Sequence, residues 1–103
     1  MPSVKVVVDH ALNQKDAKER IKKLFDKLKE DFQDKITDVN EVWNENHSDF
    51  SFKIMGLTMK GKLSVSDSNV SLNGQIPFTA LPFKKVIENT IKQEAIKLLT
   101  ADN

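Results

Sequence analysis

A chain of 103 residues, 39% hydrophobic and 30% charged, fits one soluble globular domain over residues 1–103 rather than a disordered segment. A formal net charge of +1 gives no overall field that would select a nucleic acid, and the absence of cysteine excludes disulfides, thiol catalysis and thiolate metal sites. No apolar run stands behind a basic segment at the start, so no signal peptide is expected, and no stretch approaches the ~20 apolar residues of a membrane span; the lack of cysteine is compatible with a reducing cytoplasm.

Val4, Val6 and Val8 alternate with Lys5 and Asp9 and predict a first strand from Val4 to His10. Asn13 is placed as a helix N-cap, with Asp16 three residues on completing a short capping box. Ala17, Ile21, Leu24, Phe25, Leu28 and Phe32 then recur at helical spacing and predict one helix from Gln14 to Phe32. Its opposite face mixes lysines with Glu19, Asp26 and Glu30, which is the pattern of a solvated surface.

From there to Pro77 the period changes to two. Asn46-His47, Gly56-Leu57 and Asp67-Ser68 are the expected turns of three hairpins, with Gly56 suited to the first central position of a II′ turn. The registers that follow place Val39, Ile54, Met59 and Ile76 in one cross-strand row. Glu41, Phe52, Gly61 and Gly74 form the next, and Trp43, Phe50, Leu63 and Leu72 the third. Lys53, Lys60, Lys62, Ser71 and Asn73 then share the opposite, wet face. Pro82 suits the first turn of a last helix, whose expected stripe is Phe83, Val86, Ile87, Thr90, Ile91, Ala95, Leu98 and Leu99. Thr100 to Asn103 read as a short tail. The order β-α-β-β-β-β-α predicts an α+β domain: one antiparallel sheet with two amphipathic helices on one face.

The residues offer little catalytic chemistry, and no catalytic residue, cofactor or metal is expected. His47 lies in a predicted turn, and His10, at the end of the first strand, is placed to bond backbone at the strand–helix junction or, less simply, to act as a base. Two dispersed histidines do not have metal-ligand spacing. Glu41 falls on the apolar face, where an unpaired carboxylate is costly. Either its strand bulges or lies at an edge, or Glu41 lines a small cavity. In the second case Gly61 and Gly74 give the room, Trp43, Phe50 and Phe52 the walls, and Arg20 the counter-charge. The glycines equally fit close approach of a helix, or cover of Gly61 by Phe52. The lysine faces lack the exposed aromatics on which RNA-binding sheets stack bases, so no nucleic-acid partner is expected.

Several short patterns run along nearly the whole chain. They are His10-x-Leu12, Ala17-x-x-Arg20, Trp43 before a strand, and Gly56-x-x-x-x-Gly61-x-Leu63-x-Val65. Val70-x-Leu72-x-Gly74-x-Ile76-Pro77, Phe83-Lys84 and Ile87-Glu88 follow. Together they resemble the polyhydroxyalkanoic acid system family, small bacterial proteins named after polyhydroxyalkanoate granule regions. The resemblance implies a bacterial, cytoplasmic, non-enzymatic accessory protein associated with polyester granules, and brings no catalytic residues. The element order is also similar to that of helix-grip lipid-binding folds, which are longer chains. The alternative role is therefore a small apolar-ligand or lipid-binding module, with Arg20, Glu41, Trp43, Phe52, Gly61 and Gly74 around the ligand and His10 as a further candidate. A modest core makes either a monomer or a homodimer the expected state.

Overall fold

A computed structural model describes residues 2–101, and only the backbone of Asp34. The elements are β1 (Ser3–Asp9), α1 (Gln14–Ile21), α2 (Leu24–Phe32), a 3-10 turn (Gln33–Lys35), β2 (Ile36–Asn44), β3 (His47–Ile54), β4 (Leu57–Val65) and β5 (Asn69–Gln75). A second 3-10 turn (Phe78–Phe83) leads into α3 (Lys84–Thr100). The last helix thus takes in the start of the expected tail, and residues 102–103 lie outside the described residues. The fold is the expected α+β arrangement of one antiparallel sheet under a bent helix and a C-terminal helix. Among the described residues no helix is long and apolar enough to cross a membrane.

The Asn13 side chain accepts the Asp16 backbone N–H at 2.8 Å and donates to the Asp16 carboxylate at 3.1 Å, closing the N-terminus of α1. The expected single helix breaks at Lys22 and Lys23. There the Lys23 N–H turns back to the Arg20 carbonyl at 3.2 Å, the three-residue spacing of a 3-10 turn. Apolar periodicity does not register this break, because Ala17 and Ile21 before it and Leu24, Phe25 and Leu28 after it are all buried in the same core.

The strands lie in the order β1-β5-β4-β3-β2, each pair antiparallel. Gly61 faces Gly74, Leu63 faces Leu72 and Val65 faces Val70, as the alternation predicts. The other two hairpins differ. Their turns fall at Glu45-Asn46 and Met55-Gly56, one residue earlier than expected, so the β3–β4 pairing, and the β2–β3 pairing from Asn40 to Asn44, slide by two. Met55 and Gly56 both have positive φ (52° and 83°), the requirement of a I′ turn, so glycine takes the second central position. A slip of two keeps every side chain on its face. It changes the partners: Phe50, not Phe52, stands opposite Gly61, and Glu41 stands opposite Phe50.

Both sheet edges are modified. On β1 the Lys5 backbone N–H donates to the Glu88 carboxylate of α3 at 2.8 Å, which satisfies an edge donor that another chain could otherwise pair with. On β2 one extra residue intervenes between the pairs Thr37–Lys53 and Asn40–Ser51, with Asp38 at φ 54°. The strand bearing Glu41 is thus both bulged and at an edge.

Candidate functional site

The paired glycines have different reasons to be glycine. A side-chain carbon on Gly61 would run into the Asn73 carbonyl oxygen and lie 2.6 Å from the Gly74 Cα, so the backbones of β4 and β5 approach too closely for any other residue. On Gly74 the same carbon would meet only side chains, Met59 Cε at 3.1 Å and Val4 Cγ2 at 3.2 Å. On the helix side Met59 and Val4 pack against Gly74, and Phe50, the cross-strand partner of Gly61, is covered by α2. Phe25 of α2 packs on Phe50 with ring centroids 4.8 Å apart and on Phe52 at 5.8 Å. Room at the glycines opens instead on the outer face, as an open trough of about 780 Å³ bordered by Lys60, Lys62, Ser51 and Asn73.

Glu41 and Trp43 share the inner face of β2, half-buried, and Trp43 stands opposite the fully buried Ser48 of β3. Glu41 Oε2, Trp43 Nε1 and Ser48 Oγ are buried without a hydrogen-bond partner among the described residues. The Trp43 N–H stands near enough to favour the charged carboxylate without reaching hydrogen-bond geometry. The Lys18 and Lys22 ammonium groups lie 5.6 and 5.9 Å from the Trp43 ring centroid. Burial raises the Glu41 pKa above the ordinary carboxylate value. The Trp43 N–H and Lys22 oppose that shift, and Asp26 adds to it.

A raised carboxyl pKa means that the folded chain holds this proton more tightly than the unfolded one. The carboxylate therefore costs stability above the folded pKa, and the cost disappears as the pH falls through the ordinary glutamate range. Glu41→Gln is expected to raise the melting temperature at pH 7 by about 1–3 °C, a gain that vanishes near pH 4. Thermal unfolding followed through Trp43 emission checks this, and a lower melting temperature for the variant at pH 7 contradicts it.

Arg20 is not the counter-charge of Glu41. Its guanidinium donates to the carbonyls of Ala101 (2.6 Å) and Leu98 (3.4 Å), closing the C-terminus of α3, where unpaired carbonyls and the helix dipole favour a cation. His10 ties the β1–α1 junction to the β4–β5 turn. Its Nδ1 accepts the Leu12 N–H at 3.2 Å, so Nε2 carries the proton and donates to the Ser66 carbonyl at 3.0 Å. The six candidates therefore do not converge. Gly61 and Gly74 meet, Glu41 and Trp43 meet, Phe52 packs under α2, and Arg20 belongs to the end of α3.

The most unusual surface lies elsewhere. Ala80 is buried and anchors the 3-10 turn before α3, with its N–H bonded to the Pro77 carbonyl at 2.9 Å. Around it Phe78 (71%), Leu81 (46%), Phe83 (56%) and Val86 (62%) stand exposed. The expected stripe of the last helix is thus too wide: Ile91, Ala95 and Leu99 reach the core, and Phe83 and Val86 face solvent. The warning in the sequence is that positions 83, 86 and 90 form a column beside 87, 91 and 95, more apolar width than one sheet face covers. Val86 also borders an apolar cleft of about 80 Å³ between α2, the sheet and α3, with Phe32, Phe52, Met59, Ile87 and Thr90 among its walls.

The model of the family described as "Putative polyhydroxyalkanoic acid system protein" matches residues 4–99. Comparison with curated proteins finds no match. Among solved structures the chain is similar to TTHA0849 from Thermus thermophilus. Identity is 12%, over 95% of this chain and 91% of that one, and the TM-score of 0.35 is too low to support any statement about fold or function. A match over residues 4–99 takes in both edges of the sheet, the glycine pair and nearly all of α3, so the chain belongs to the polyhydroxyalkanoic acid system family.

Proposed function

We propose that this protein is a non-enzymatic accessory protein of bacterial polyester storage, which docks on the granule surface in the cytoplasm through its Phe78–Val86 face. The observation that carries this reading is the exposure of Phe78, Leu81, Phe83 and Val86 within nine residues of a chain from this family. The apolar stripes of α1 and α2 are consumed by the core, so docking needs a second apolar patch, and this segment supplies one without any part of the fold opening. Lys84 and Lys85 lie within the segment and no acidic residue does, a mixture suited to an interface between water and an apolar phase. Engagement of both His10 ring nitrogens with backbone supports a structural rather than a catalytic role for that residue.

The test is partition onto particles of poly(3-hydroxyoctanoate), a polyester with pentyl side chains, in physiological salt. The protein is expected in the particle pellet, and full recovery in the supernatant overturns the reading. The alternative of a small apolar-ligand module keeps one support, the cleft between α2 and α3, which neither glycine lines but whose wall residue Met59 packs against Gly74.

A further inference from the structure

We infer that the cleft between α2 and α3 is a binding site for a short alkyl chain carried on an ester, such as a side chain of the polymer on which the protein docks. This deepens the docking reading and rests on it. The cleft walls are supplied by the C-terminal end of α2, the first turns of α3 and the ends of β2, β3 and β4. Among the described residues every wall residue is apolar except Thr90, which is half-buried. A half-open cleft with this lining offers water few of the two or more polar partners it needs, and favours an apolar guest. Its volume of about 80 Å³ is roughly half that of an engineered cavity that holds benzene, so an unbranched chain of about three to five carbons is the fitting guest.

The cleft also lies where a guest from an apolar phase would arrive. Val86 is both a wall of the cleft and part of the exposed Phe78–Val86 face. A polymer surface seated on that face would present alkyl side chains at the opening. The Thr90 hydroxyl, the one strong hydrogen-bonding side chain on the walls, is able to donate to an ester carbonyl following the chain inward. Chain length is the expected selectivity: a methyl group leaves the cleft largely empty, a propyl to pentyl group fills it, and a branched or aromatic group does not fit.

Methyl NMR of the full chain, titrated with methyl hexanoate and separately with methyl acetate, tests the site. Methyl hexanoate is expected to shift the methyl resonances of Ile36, Ile54, Met59 and Ile91 saturably, and methyl acetate at least tenfold more weakly. Thr90→Leu, which fills the cleft from a helical position that tolerates leucine, is expected to weaken methyl hexanoate binding at least tenfold with the melting temperature preserved. Absence of saturable shifts in the unaltered protein, or equal affinity in the Thr90→Leu variant, overturns the inference. The particle assay separates the two levels. Particle binding without ester-induced shifts sinks the cleft and leaves docking standing. Ester binding by a chain that does not sediment with particles sinks docking and removes the polymer as the source of the alkyl group.

Discussion

Gly61→Ala is expected to destabilise the fold by about 3 kcal/mol or more, while Gly74→Ala stays within about 1 kcal/mol of the original chain. The two residues are cross-strand partners on the same face and Gly74 is the more buried, so simple burial would rank Gly74 as the more sensitive. Their surroundings separate them. At Gly61 the obstacle is the Asn73 carbonyl and the Gly74 backbone, which are fixed by the β4–β5 ladder and move only if the ladder opens. At Gly74 the obstacle is the end of Met59, a flexible side chain, together with one methyl of Val4. There the crowding is offset by the lower unfolded-state entropy of alanine. In a domain of this length about 3 kcal/mol corresponds to a fall of roughly 12–24 °C in melting temperature. Urea unfolding of the two variants checks the ranking, and equal midpoints would show that the close approach of β4 and β5 does not constrain the fold.

The double variant Leu81→Glu, Phe83→Glu is expected to bind polyester particles at least 30-fold more weakly while melting within about 2 °C of the unaltered chain. Both side chains are about half exposed and neither belongs to the buried core, so their replacement leaves that core intact, unlike any change at Ala80. Transfer of the two exposed portions from water to an apolar phase is worth about 2 kcal/mol in total, already close to 30-fold in partition. Two carboxylates placed at an apolar surface add a desolvation cost on top. Substitution of Lys85 by alanine removes only an exposed charge and is expected to have a much smaller effect.

The legible part of this fold was whatever depends on side-chain parity. The alternations in β1, β4 and β5 set which residues face the helices, and that assignment survives a two-residue slip in two hairpins. The slip itself was not legible, because glycine suits either central position of a tight turn, and Met55 at positive φ is not an arrangement that composition favours. The break at Lys22–Lys23 was hidden because both half-helices bury a continuous stripe in one core. The candidate site was less legible. Glu41 was identifiable as an apolar-face carboxylate, and both halves of its explanation, bulge and edge, are present in β2. The role of Arg20 depends on where the end of α3 lands, a contact 78 residues away in sequence that no local pattern encodes. Phe83 and Val86 fall in the expected core stripe yet stand exposed, because width, not period, distinguishes a stripe that one sheet face covers from one that it does not.

The most direct measurement places a reporter on the proposed face. In a Trp43→Phe background, Phe83→Trp leaves a single indole at the exposed start of α3. With polyester particles present, its emission is expected to shift to shorter wavelength and to lose accessibility to iodide, as the ring leaves water for an apolar phase. An unchanged spectrum under conditions in which the protein sediments with the particles would contradict the account, because the chain would then be docking through some other surface.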